Sequence, residues 1–295
     1  MNRRSLLSMV IAAPALVALV AACGDDSATP ASPDVSTDAG TDAGTGIVYP
    51  TGADDVVLRL GHEGGFVAPG TAFVNLPTLL VSGDGRVFQP APTTLEFPGK
   101  LVPPMLVQSI TPAGIQRLLQ LAADDGLLAP PPDYSADIKV ADVPDTVLEL
   151  DAEGGSFVHR APALGFNIDA NGNPAPESSI ARQRLASFVT QVGDLESVVG
   201  AENLGAPTLY APERYRFQAM VLDPAQLAGM DPQPTLVDWP SDSGVSLADS
   251  TECGSAPADS VGTVLTEATH LTLFREGGSV YSLAAIGMVP GDVPC

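Results

Sequence analysis

Basic residues are scarce in this chain: 13 lysines and arginines face 35 aspartates and glutamates over 295 residues, a formal net charge of −22. A field of that sign repels nucleic acid, and acids scattered rather than clustered read as a device for solubility, not as a cation site. Lysine occurs only at Lys100 and Lys139, neither three residues after a serine, so the Ser-x-x-Lys apparatus is missing. Histidine is limited to His62, His159 and His270 and cysteine to Cys23, Cys253 and Cys295, too few for a Cys/His zinc cage. There is no Gly-x-Ser-x-Gly elbow and no glycine-rich phosphate loop. On these grounds no catalytic residue, metal site or cofactor is expected.

The amino terminus is more informative. Asn2-Arg3-Arg4 is a short basic region, Leu6 to Val20 is an apolar run broken only by Ser8 and Pro14, and Ala21-Ala22 is a small-residue pair, together a signal peptide over residues 1–22. The run falls short of the roughly 20 apolar residues that a bilayer-spanning helix needs. Val20-Ala21-Ala22-Cys23 resembles the bacterial lipobox at every position. The resemblance implies that the Cys23 thiol receives diacylglycerol and that cleavage leaves Cys23 first in the mature chain. The protein would then be held on the extracytoplasmic side of a cell membrane, and two acyl chains, at about 0.8 kcal/mol per buried CH₂, make a stable anchor. Asn2-Arg3-Arg4-Ser5-Leu6-Leu7 also resembles a minimal twin-arginine export motif, which leaves two export routes open. With Cys23 lipidated, Cys253 and Cys295 form an even remainder that reads as one disulfide in an oxidising compartment.

Between Gly24 and Gly46 the only large apolar residue is Val35 and TDAG repeats in tandem, so residues 23–46 are expected to be the lipidated cysteine and a disordered acidic spacer. Beyond it, Val56, Leu58 and Leu60 alternate with Val57 and Arg59, the period of a half-buried strand. A second strand is expected within Ala72 to Val81, followed by a turn at Ser82-Gly83-Asp84-Gly85. Thr111-Pro112 reads as a helix start, with Ile115, Leu118, Leu119 and Ala122 on one face and Gly126 as the stop. Hairpins are expected over 145–161 and 270–285, a strand over 215–222, and helices over 178–199 and 260–268. Hairpins and helices that segregate rather than alternate argue for an α+β fold of antiparallel hairpins with a few packed helices. A break at Gly200 to Pro207 divides it into lobes at 47–200 and 201–295.

The pattern L-x-L-x-x-E-G-G recurs at Leu58, Leu148 and Leu271. It reads either as ordinary Gly-Gly hairpins or as a duplicated lobe, in which Leu148 and Leu150 face one helix as Leu271 and Leu273 face another, with solvated acids at the tips. The segments E-G-G-F-V, S-G-D-G-R-V, W-P and a terminal cysteine resemble lipoproteins of high-GC bacteria for which no activity is known. Ser241-Asp242-Ser243-Gly244 resembles part of the chymotrypsin-like Gly-Asp-Ser-Gly-Gly turn but lacks its outer glycines. His62-Glu63 lacks the second histidine of H-E-x-x-H because residue 66 is Phe66. Asp169 to Asn173 imitates the start of an EF-hand loop, yet Pro174 and Ile180 stand where the sharp turn and bidentate acid belong, so a plain loop is expected. The function expected is therefore a binding or structural ectodomain, membrane-attached through Cys23, with an exported hydrolase as the alternative. A hydrolase must bring one of the three histidines beside a nucleophile or a carboxylate.

Overall fold

A computed structural model describes residues 46–66, 70–94, 96–136, 141–169, 171–173 and 175–295; the expected signal peptide, Cys23, all of the spacer but Gly46, and Lys139 lie outside the described residues. The fold is α+β, with two mainly antiparallel sheets and, among the described residues, five α-helices. The first sheet has the order β6-β5-β1-β2-β3-β4-β7, built from β1 (Val56–Glu63), β2 (Leu79–Ser82), β3 (Arg86–Pro90), β4 (Met105–Ser109), β5 (Asp145–Ala152), β6 (Gly155–Pro162) and β7 (Thr208–Leu209). The second has the order β10-β8-β12-β11-β9, from β8 (Arg214–Leu222), β9 (Thr235–Asp238), β10 (Gly254–Pro257), β11 (Thr272–Glu276) and β12 (Ser279–Gly287). Among the described residues, only the pairing of β9 with β11 is parallel.

Helices α1 (Pro112–Asp124), α2 (Ile180–Val192) and α3 (Leu195–Val199) share the main core with one face of the first sheet: Leu118, Leu119, Leu185 and Phe188 pack with Leu58, Leu60, Leu148 and Leu150. The Thr111 hydroxyl caps α1 by accepting the Gly114 N–H at 3.1 Å, as the Thr-Pro start requires. Helix α5 (Ala258–Glu267) covers the second sheet, where Val261 and Leu265 meet Phe217, Phe274 and Trp239; α4 (Pro224–Ala228) is a short surface helix. A third cluster of Leu80, Phe88, Met105 and Val289 occupies the reverse face of the first sheet. It explains why β2 is buried along its whole length: Leu79 and Val81 face the helices while Leu80 faces the chain's own carboxyl-terminal segment.

Several expectations need correction. Ala72 to Val81 is not one strand, since Thr71–Val74 forms a 3-10 turn and β2 begins only at Leu79. This connection crosses to the second sheet, where Gly70 lies against Ala284 and the Arg216 guanidinium stands 5.2 Å over the Phe73 ring. The helix expected over 178–199 is two helices, interrupted at Gly193-Asp194, with Asp194 accepting from the Ser197 N–H and hydroxyl to start the second. Ile180, expected on the apolar face, is 68% exposed, and Arg182 takes a buried place instead.

The recurrent motif is not equivalent residue for residue. In β5–β6 the two-residue turn is Glu153-Gly154, with Ala152 opposite Gly155; in β11–β12 it is Gly277-Gly278, with Glu276 opposite Ser279. A shift of one residue exchanges the faces of a strand. Accordingly Leu148 and Leu150 do pack with the helices, but on β11 it is Phe274, not Leu273, that joins the α5 core, and Leu271 precedes the strand. Gly64 and Gly65 close β1 without a tight hairpin, because β1 pairs with β2 only after the long connection. Of the acids, Glu276 is drawn in, accepting from Ser246 Oγ and from the Leu247 and Ala248 N–H groups, whereas Glu153 and Glu63 stay exposed to solvent as expected while Glu153 accepts the Val48 N–H and Glu63 pairs with Arg160.

Arg182 is 1% exposed, and each of its three guanidinium nitrogens has a partner. Its Nε donates to Glu177 Oε2 at 2.6 Å, Nη1 to the carbonyls of Tyr134 and Pro162 at 2.9 Å each, and Nη2 to that of Ala163 at 3.3 Å. The pair thus ties α2 to the loop after β6, and the other Glu177 oxygen accepts the Gly165 N–H. Removing one partner of a buried pair strands the other, so Arg182→Met is expected to lower unfolding free energy by about 3–5 kcal/mol in urea titration. At the β11–β12 turn, Gly277 and Gly278 have φ of 56° and 87°, and a Cβ on Gly277 would meet nothing within 4 Å. Gly277→Val should therefore cost roughly 1–3 kcal/mol from backbone strain alone, and Gly277→Asn clearly less, measured the same way.

Candidate functional site: the seam between the sheets

The three histidines are held apart from one another by the fold. His159 is fully buried, its Nε2 2.8 Å from the Leu127 carbonyl and its Nδ1 2.7 Å from the Tyr134 hydroxyl. A carbonyl can only accept, so Nε2 carries the proton and the tyrosine donates to Nδ1. Both nitrogens are thereby used in packing. His62 Nδ1 stands 3.5 Å from Thr146 Oγ1, at the limit of a hydrogen bond, and its carbonyl accepts from the Asn75 amide. It lines a small polar hollow on the first sheet with Arg59, Glu63 and Glu149. The His270 N–H donates to the Gly99 carbonyl at 3.0 Å.

The remaining motif residues sit in ordinary turns. Ser243 donates to the Val245 carbonyl at 2.9 Å, which also accepts the Trp239 indole N–H. Asp169 accepts the Asn171 and Asn173 N–H groups at 2.8 and 2.9 Å, and these backbone donors hold its carboxyl below the usual range, the plain loop expected from the sequence. Cys253 and Cys295 are joined by a disulfide, with Cα atoms 5.5 Å apart.

Two unlike cavities meet at Tyr210, which lines both. One, of about 260 Å³, is walled by Val102, Pro103, Pro104, Pro212 and Tyr215, with Lys100 at its rim. Its walls come from the proline-rich stretch before β4, from the residues that lead out of β7, and from the start of β8. Proline fixes φ, so these walls are stiff. Gly287 completes the lining, and a Cβ there would lie 2.6 Å from Pro212 Cγ. Tyr215 is 3% exposed, burial pushes its phenol pKa up, and its hydroxyl has no hydrogen-bond partner among the described residues.

The other cavity, of about 630 Å³, is charged, with Asp54, Asp84, Arg86, Glu213, Arg214 and Asp292 around it. Its roof is the carboxyl-terminal segment: Tyr210 donates from its hydroxyl to the Met288 carbonyl at 2.9 Å, and Asp292 accepts from Arg59 at 3.2 Å. Burial raises the Tyr210 pKa, Arg86 opposes this, and Glu213, Asp292 and Asp54 add to it. Arg214 Nε is buried without a partner among the described residues. The geometry suits recognition of a small molecule by an apolar wall and a few polar groups.

Sequence reasoning singled out none of these lining residues as a site. Lys100 was noted only for its rarity, and Tyr210, Tyr215 and Gly287 carry no motif because they meet only when the second sheet docks. The one local signal is the density of proline around both tyrosines.

The histidine core generates a pH dependence. Burial lowers the His159 pKa from 6.5, partly offset by the hydrogen bond to Leu127, so the unfolded chain takes up a proton that the folded chain resists. The contribution is complete above 6.5 and is lost as pH falls from there toward the lower folded value. Between pH above 7 and roughly 5.5, the native chain should lose about 1 kcal/mol more than His159→Gln in urea unfolding; equal losses would contradict this. Comparison of the chain with known protein families, with curated proteins and with solved structures finds no match.

Proposed function

We propose that this chain is an exported lipoprotein, tethered through Cys23 to the extracytoplasmic side of a cell membrane, whose folded part is a ligand-binding ectodomain. The observation that carries the reading is the pairing of Cys253 with Cys295. A persistent disulfide suits an oxidising compartment, which supports export. It also leaves Cys23 as the one cysteine outside the bond, at the position where Val20-Ala21-Ala22 resembles a lipobox. The binding role draws on the seam, where an apolar cavity and a charged one flank Tyr210 on walls built from both sheets.

Membrane fractionation and metabolic labelling with a palmitate analogue test the anchor. The native chain should pellet with membranes and take up label, and Cys23→Ser should lose both. A Cys23→Ser chain that still partitions with detergent, or a native chain that takes up no label, would overturn the lipid anchor.

A further inference from the structure

We propose that the apolar cavity beside Tyr210 binds the monocarboxylate of a short aliphatic chain, with the carboxylate at Lys100 and the chain between the proline walls. The inference deepens the binding role assigned above and rests on it. Three observations converge on this ligand class. The volume, about 260 Å³, leaves room for about ten non-hydrogen atoms at interior packing density, and the walls of Val102, Pro103, Pro104 and Pro212 offer nothing to a polar body.

The second observation is charge. At least six arginines are spent in ion pairs, at 59, 86, 117, 160, 182 and 275; Lys100, like Arg184, Arg214 and Arg216, makes none among the described residues, but of these four cations it is the one that lines this cavity, and its Nζ reaches only the Thr266 carbonyl at 3.3 Å. An unpaired ammonium at an apolar mouth, on a chain of charge −22, is selective by sign: it favours a bound anion where the rest of the surface repels one. The third is the Tyr215 hydroxyl. It belongs to a side chain that is 3% exposed, lines this cavity, and has no partner among the described residues. The hydroxyl is not one of the buried atoms left without a partner, so it meets the cavity's open space and is free to donate to a ligand oxygen there. Lys100 and Tyr215 supply a charge and a donor in a lining that is otherwise mostly apolar, as a ligand with a polar head and an apolar chain requires.

Octanoate, 1-octanol and octylammonium are the probes, titrated into isotope-labelled full chain carrying Cys23→Ser and followed by amide chemical shifts. Octanoate should give saturable shifts grouped at residues 101–105, 209–215, 266 and 287, octanol should bind more weakly at the same residues, and octylammonium most weakly. Lys100→Met should weaken octanoate about tenfold and leave octanol unchanged. Tyr215→Phe should weaken both alcohol and acid while leaving the melting temperature unchanged, since the hydroxyl it removes bonds to nothing in the protein. Equal affinity for octanoate and octanol, or indifference of octanoate to Lys100→Met, would overturn the carboxylate assignment while leaving a binding cavity. Absence of saturable shifts with all three probes would overturn the cavity as a binding site. Neither outcome depends on whether Cys23 carries lipid.

Discussion

The carboxyl-terminal segment is the constraint on which the seam depends. Met288 to Cys295 leaves the second sheet, lies on the reverse face of the first, and returns to the second through the Cys253 bond. Each anchor is of a different kind: Val289 fills an apolar cluster with Leu80 and Phe88, Asp292 pairs with Arg59, Met288 accepts from Tyr210, and Cys295 is covalently held. The bond closes a sequence separation of 42 residues, worth about 4 kcal/mol in the chain-entropy view. Without this crossing the reverse face of β2 and β3 would be an exposed apolar patch, and the charged cavity would lack its roof.

The same economy governs charge. A chain with few basic residues places most of its described arginines against acids that hold distant segments together: Arg117 to Glu202, Arg160 to Glu63 and Asp145, Arg182 to Glu177, Arg275 to Asp238. The exposed pairs contribute little individually. Arg182 differs because its guanidinium also satisfies three carbonyls from two separate segments, Tyr134 in one coil and Pro162 and Ala163 at the end of β6. Lys100, like Arg184, Arg214 and Arg216, makes no ion pair among the described residues.

Hairpin identity and hairpin register proved to be separate matters. The Glu-Gly-Gly signal marked both hairpins correctly, since two consecutive residues with positive φ are what a two-residue turn needs. Which two residues occupy the turn was settled by the faces. Beside α1 and α2 the core requires Leu148 and Leu150, whereas beside α5 it requires Phe274, and each register satisfies its own core.

Local chemistry was legible in the sequence because it acts over a few residues. The cap at Thr111, the apolar face of α1, the strands at 56–63 and 214–222 and the two tight hairpins follow from periodicity, φ preference and hydrogen bonding between near neighbours. Parity of cysteines pointed to the Cys253–Cys295 bond without any geometry. Tertiary structure alone decided that β2 is buried on both faces, that a helical arginine lies in the core while Ile180 faces solvent, and that Tyr210 and Tyr215 border cavities. In each case the deciding partner is remote in sequence, as with Arg182 and Tyr134 or Leu80 and Val289, so no window of neighbouring residues contains the interaction that sets the outcome.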